Sequence, residues 1–233
     1  MTKVHALIVA RGGGSSFYRK NTYSILGKPV IAYAIETCRQ AKFINDIFVW
    51  SEDSEIQEIA SSLGAHPLQR PRSMVHYHSG FASQNEWTEQ RNREIIQLAG
   101  GVGDVNVSFN CNNFLFKSET LQAMYEKGKK DESLGGVIAV SKVNPGFCTV
   151  TKDGSLFPFW NDPNIPLSEH PPLYRRIGVA VTFRMRMHRG RTYLAPHVVS
   201  PSEAFDLQSE EEVPFAEFHL RNRYNTPKHT ETL

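Results

Sequence analysis

The 233-residue chain has only three cysteines, Cys38, Cys111 and Cys148, far apart and odd in number. That argues against a disulfide framework or a structural zinc site, and it fits a reducing, cytoplasmic setting. No apolar run approaches the roughly 20 residues of a membrane span. The start carries one early lysine, then a short apolar run that ends at a charged loop, unlike a secretory leader. An excess of either charge is also missing. The 26 Lys+Arg against 24 Asp+Glu leave a formal charge of +2, so nothing global favours nucleic acid or an acidic membrane as partner. Repeats and long low-complexity tracts are absent. The expectation is one α/β domain over residues 1–223, with a disordered tail over 224–233.

What the chain does have is a strand, a basic glycine-rich loop and a helix in immediate succession. His5-Ala-Leu-Ile-Val-Ala10 is an apolar run of buried-strand character. Arg11-Gly-Gly-Gly-Ser-Ser-Phe-Tyr-Arg-Lys-Asn21 breaks it into a loop with three cations, Arg11, Arg19 and Lys20. Lys28 to Arg39 then sets apolar residues at helical spacing. Glycines let backbone N–H groups approach phosphate oxygens, and the cations neutralise them. The loop is neither G-x-G-x-x-G nor a Walker loop, which disfavours a dinucleotide-dependent oxidoreductase. A solvated surface turn has the same composition. Position decides for phosphate, because the loop leaves the first strand of an α/β chain, where ligands gather at strand C-termini.

Further along, Ile44 to Trp50 reads as a second buried strand. A helix follows, capped by Ser51 or Asp53, with Ile56, Ile59, Ala60 and Leu63 on its apolar face and Gly64 at its end. His66 to Arg70 is a short third strand. The order β-loop-α-β-α-β predicts a parallel sheet with helices on both faces. Phe81 to Leu98 is a long helix, and Asp104 to Asn110 a strand. Lys117 opens another helix, and Gly135 to Val143 is a buried strand. Phe147 to Phe157 is a hairpin turning at Asp153-Gly154, and Tyr174 to Phe183 a strand. His76 and His78 alternate, but without a nearby Cys or carboxylate they read as solvent- or ligand-facing rather than as a metal pair. Asn110, Asn112 and Asn113 at a strand end serve either a ligand or a turn. Four arginines from Arg184 to Arg191 make too short a cluster for nucleic acid and read as a solvated connector. Glu210 to Glu212 suit the start of the last helix.

The loop from Arg11 to Asn21, with Leu26-Gly-Lys-Pro29 and Ala32-Tyr33, resembles the nucleotide loop of the CMP-sugar synthetases, the N-acylneuraminate cytidylyltransferases and their relatives. Their pattern is A-R-G-G-S-K-G-I-P-R-K-N, then L-x-G-K-P-L-I-x-Y. Ser51-Glu-Asp-Ser-Glu-Ile56 is similar to the family's S-T-D-D/S-x-E-I, and Gly64-Ala65 and Arg70-Pro71 follow as its G-A and R-P do. Tyr174 to Phe183 resembles R-x-N-G-A-I-Y, and Ala204 to Glu217 the final D-I-D-x-x-x-D-x-x-x-A-E. The chain departs at Gly14-Ser15, where the family has Ser-Lys, and at Tyr77, where it has an acid. It departs again at Asn110 to Asn113, in place of Q-P/C-T-S, and at Gln208, in place of a second aspartate.

The resemblance implies a Rossmann-like three-layer nucleotidyltransferase fold with a mainly parallel sheet and a small hairpin. Residues 144–175 would include an arm that crosses to a partner subunit, giving a homodimer. It implies transfer of CMP from CTP to an acidic acceptor, a nonulosonic or ulosonic sugar acid or a small phosphonate, with release of pyrophosphate. Arg11 and Lys20 would be catalytic. Arg11, Gly12, Gly13, Asn21, Ser51 and Arg70 would hold CTP. Asn110, Asn112 and Arg175, with Arg176 as the alternative arginine, would hold the acceptor, and Asp206 would ligate Mg²⁺. The four departures also admit a catalytically silent homologue that binds a nucleotide or a partner.

Overall fold

The computed structural model describes residues 2–13, 17–72, 81–143, 148–158, 166, 169, 171–190 and 193–225. The first strand, β1 (Val4–Val9), sends alternate side chains to two packing layers. Val4, Ala6 and Ile8 join the larger core, and Leu7 and Val9 pack on a smaller one. After the minimal ribbon β2 (Ser24–Ile25) and β3 (Lys28–Pro29), α1 (Val30–Gln40) lies almost wholly inside the larger core. Strand β4 (Asp46–Ser51) repeats the alternation: Ile47 and Val49 go to one face, Phe48 and Trp50 to the other.

Helix α2 (Ser54–Ser62) is capped by Asp53, whose carboxylate accepts the Ile56 amide at 3.1 Å, and Gly64 ends it at φ +69°. Strand β5 (His66–Gln69) and helix α3 (Phe81–Ala99) follow. Ile95 of α3 packs on Phe48, Trp50 and Leu68, so α3 covers the face opposite α1 and α2. Strand β6 (Val105–Asn110) and α4 (Ser118–Lys130) lead to β7 (Gly136–Val143). Strands β8 (Cys148–Val150) and β9 (Leu156–Pro158) form the expected hairpin, whose Thr151 amide donates to Ser155 at 2.9 Å. Then come β10 (Leu173–Phe183), α5 (Arg184–His188), β11 (Leu194–Val198) and α6 (Val213–Asn225).

The main sheet runs β11-β7-β10-β6-β1-β4-β5. Only β10 is antiparallel to its neighbours. Sequence-based expectation and structure agree on a mainly parallel sheet between helical layers. They differ in three places. Residues 184–188 form α5 instead of a solvated connector: Arg186 donates to the carbonyls of Gly128 at 2.6 Å and Asp131 at 3.0 Å, closing the end of α4. Strand β11 and the β2–β3 ribbon were not anticipated. Residues 224 and 225, expected in the tail, finish α6, and residues 226–233 lie outside the described residues. Most of the expected arm lies outside them too.

The Cys38 and Cys111 side chains are both buried in the core. Burial pushes the Cys38 thiol up to about 12 and raises Cys111 likewise. Among the described residues no helix is long and apolar enough to cross a membrane.

Candidate active site

The chain moves from β1 to β4 and β5 on one side, then returns to place β6 on the other side of β1. The order therefore reverses between β1 and β6, where Val9 and Asn110 end the two strands side by side. A doubly wound sheet leaves a crevice at such a switch point, beyond the strand C-termini. The Arg11 loop and the Asn110–Asn113 segment are its two lips. Because β10 runs the other way, its first residues, Arg175 and Arg176, reach the same end of the sheet.

The loop is built to present Lys20. Arg19 adopts a left-handed backbone at φ 53°, and its carbonyl accepts the amides of Thr22 and Tyr23 at 3.0 Å each. The turn sends neighbouring cations in opposite directions. Arg19 pairs with Glu55, and with Asp53 at 3.6 Å, so it is occupied on α2 and does not add to a phosphate site. Lys20 is 7% exposed and donates to the Leu207 carbonyl at 2.9 Å and Gln208 Oε1 at 3.4 Å. Burial lowers its pKa. The carboxylate of Asp206 opposes that shift, and the charge of Arg11 adds to it. Arg11, Lys20 and Asp206 thus share one electrostatic neighbourhood, although Lys20 and Asp206 stand far apart in sequence.

The other expected nucleotide residues have distinct surroundings. Asn21 is buried, and its amide donates to the Arg11 carbonyl at 2.8 Å, fixing the loop. A Cβ on Gly12 would lie 2.2 Å from Asp53 Oδ2, so only glycine fits there. A Cβ on Gly13 would meet nothing within 4 Å, which leaves room for a ligand. The Gly12 amide donates to Glu52 Oε1 at 2.9 Å. Ser51 is fully buried, and its hydroxyl accepts the Asp53 amide at 3.1 Å, so it shapes the turn. Arg70 is 8% exposed, with its guanidinium 5.1 Å from the Trp50 ring centroid. Arg91 from α3 also lies over Trp50, at 5.4 Å, and burial lowers its pKa. The region of Gly14-Ser15, His76, Tyr77 and His78 lies outside the described residues.

Beyond this loop is a cavity of about 420 Å³ lined by Asn110, Asn113, Arg175, Arg176, Gly178 and Asp206, among others. Asn113 is spent on the backbone: it donates to the Phe205 carbonyl at 3.0 Å and accepts the Gly178 amide at 3.2 Å. Asn112 donates to Asp206 Oδ1. Arg175 anchors on the Ala204 carbonyl at 2.7 Å, while Arg176 is exposed at the cavity. A pocket with two arginines suits an anion, since guanidinium binds carboxylate or phosphonate with paired donors.

Asp206 is the carboxylate that lines this cavity, and no three His, Cys, Asp or Glu groups converge among the described residues. That set fits a hard cation arriving with a nucleotide, because Mg²⁺ takes one or two carboxylates and fills the rest with phosphate oxygens and water. It does not fit a metal held by protein alone.

Sequence reading assigned no role to Glu52, Trp50 or Arg91. Glu52 was the one with a signal, since it stands where the related pattern has threonine.

The switch-point crevice, the cationic loop and the arginine-lined cavity define a doubly wound α/β protein with a site suited to anions. The family model for cytidylyltransferases matches residues 5–98. A pseudaminic acid cytidylyltransferase of Campylobacter jejuni subsp. jejuni serotype O:23/36 is 32% identical over 128 residues, 54% of this chain and 53% of that one. An N-acylneuraminate cytidylyltransferase of Escherichia coli O18:K1:H7 is 34% identical over 74 residues, 32% of this chain and 18% of that one. The chain thus spans about half the length of the Campylobacter relative. In fold it is similar to a CMP:2-keto-3-deoxy-manno-octonic acid synthetase complexed with CTP, at TM-score 0.66 and 12% identity over 95% of this chain and all of that one. A 4-diphosphocytidyl-2C-methyl-D-erythritol synthase is similar at TM-score 0.64 and 12% identity, over 94% and 99%. Over residues 5–98 the chain is thus similar to cytidylyltransferases, and over part of its length to the pseudaminic acid and N-acylneuraminate members of that group.

Proposed function

We propose that this protein is an enzyme that transfers CMP from CTP to an acidic sugar and releases pyrophosphate. The observation that carries the proposal is the buried Lys20 ammonium, set beside Arg11 and Asp206 at the switch point and next to a cavity with two arginines. Two anions must meet there. Arg11, Lys20 and the open backbone at Gly13 would hold the triphosphate. Arg176, with Arg175 behind it, would receive the acceptor's acid group. A hydroxyl oxygen of the acceptor would attack the α-phosphorus, a new P–O bond would form, and the bond to the β-phosphate oxygen would break. The hydroxyl proton leaves with solvent, and pyrophosphate departs. The charge that builds on the leaving oxygens is what the fixed cations stabilise. Mg²⁺, entering with CTP and held through Asp206, would neutralise further phosphate charge.

The named substrates of the two relatives, pseudaminic acid and N-acylneuraminate, are the first acceptors to try. We also propose a homodimer, since the hairpin exposes Val150 and Leu156 and β10 exposes Tyr174. The direct assay is pyrophosphate release from CTP with each acceptor. CTP binding without pyrophosphate release across a panel of acidic sugars would return the reading to a nucleotide-binding homologue.

A further inference from the structure

Glu52 combines two features that its place in the fold does not explain. Its Oε1 is fixed by the Gly12 amide at 2.9 Å, and its Oε2 is buried with no hydrogen-bond donor among the described residues. A carboxylate oxygen removed from water without a donor is costly, so a position that keeps one is built for a donor that arrives. Asn21 Oδ1 is a second buried acceptor without a donor, but it is neutral and its loss is the smaller one.

The identity of the donor follows from charge. An ionised carboxylate only accepts, and it repels phosphate. The triphosphate therefore belongs at Arg11 and Lys20, and what faces Glu52 must come from the nucleoside. Two residues before Glu52 in the chain is Trp50, with the guanidinium groups of Arg70 and Arg91 lying over its ring. The Arg70 amide also donates to the Ser51 carbonyl at 3.0 Å, tying that wall to the Glu52 turn. Flat guanidinium and indole planes suit a heterocyclic base. Of the donors a cytosine offers, the exocyclic 4-amino group is the one that a carboxylate accepts well.

We infer that Glu52 accepts a hydrogen bond from the 4-amino group of cytosine and thereby selects CTP against UTP. This rests on the cytidylyltransferase reading. Uracil would turn its O4 acceptor towards Glu52 Oε2, setting acceptor against acceptor. A site built for a donor rejects a ligand without it far more strongly than a merely apolar pocket would.

The test is calorimetric titration of the protein with CTP and UTP in the presence of Mg²⁺, for the wild type and Glu52→Gln. The glutamine keeps an oxygen for the Gly12 amide and puts an NH₂ where Oε2 was. The wild type should prefer CTP by about tenfold or more, and Glu52→Gln should lower that ratio by about tenfold, towards or past parity. A second measurement needs only the wild type: a CTP analogue with hydrogen in place of the 4-amino group should bind about tenfold more weakly than CTP. A CTP/UTP ratio unchanged in Glu52→Gln, or an analogue bound as tightly as CTP, overturns the inference. So does a Glu52→Gln effect that appears only as lost discrimination between CTP and 2′-deoxy-CTP, which would assign Glu52 to the ribose. A wild type that binds no nucleotide overturns the functional reading as well, whereas a CTP-selective wild type with an unmoved ratio in the variant overturns only the role of Glu52.

Discussion

Lys20 carries its charge where burial makes that charge hardest to keep and most effective. Replacing it with alanine should lower kcat/KM by about a hundredfold or more, and Arg11→Ala should act in the same direction, as read by pyrophosphate release. Because burial lowers the Lys20 pKa from the ordinary lysine value of 10.5, its positive charge is lost at a lower pH than usual. The rate should therefore fall along an alkaline limb that begins below 10.5, present in a kcat/KM profile of the wild type. Gly178 gives a finer test. A Cβ there would lie 2.2 Å from Asn110 Nδ2, so Gly178→Ala must displace a side chain that lines the cavity. We expect acceptor KM to rise about tenfold, with CTP affinity measured by calorimetry unchanged. At this scale the sequence shows the loop cations but not their destinations. Arg19 and Lys20 are adjacent and chemically alike, and only the left-handed turn at Arg19 sends one to Glu55 and the other to Leu207 and Gln208.

Among the elements, α2 and α5 hold the frame in ways that can be measured separately from activity. Asp53 both caps α2 and fills the space beside Gly12. Asp53→Ala should cost about 1 kcal/mol of stability in denaturant unfolding. Arg186 closes the end of α4 with hydrogen bonds to Gly128 and Asp131, and its guanidinium stacks 4.1 Å from the Phe183 ring. Arg186→Ala should cost about 1–2 kcal/mol and leave CTP affinity at the wild-type value, since its charge is spent on backbone carbonyls. Strong apolar spacing makes β1, α1, β4, α2, β6 and β7 legible in the sequence, and β5, α3, α4, the hairpin and β10 were legible as well. Strand β11 escaped notice because Pro196 interrupts it. Proline is tolerated there because β11 is an edge strand, as is β5 with its Pro67 at the opposite edge. Ribbon β2–β3 has two residues per strand, too few for any periodicity.

For the molecule as a whole, two histidines couple stability to pH. Burial lowers the pKa of His5, outweighing the nearby Asp46 carboxylate, and burial followed by the charge of Lys127 lowers that of His197. Each is depressed below 6.5, so the unfolded chain binds protons that the folded one resists. Stability should be fully present above pH 6.5 and decline as pH falls through the lower folded values. His5→Gln should flatten part of that decline in melting temperature against pH. The switch point between β1 and β6 is also a property of the whole chain, because it brings Lys20 to Leu207 and Arg175 to Ala204. The sequence signals each residue singly, and it shows the convergence only through the family resemblance. The central claim is a cytidylyl transfer at that convergence. Its most direct measurement is pyrophosphate release from CTP with Mg²⁺ and either pseudaminic acid or N-acylneuraminate, for the wild type beside Arg11→Ala and Lys20→Ala. The account predicts acceptor-dependent release by the wild type, loss in both variants, and loss when EDTA removes the metal. Release that persists at the wild-type rate in both variants would contradict it.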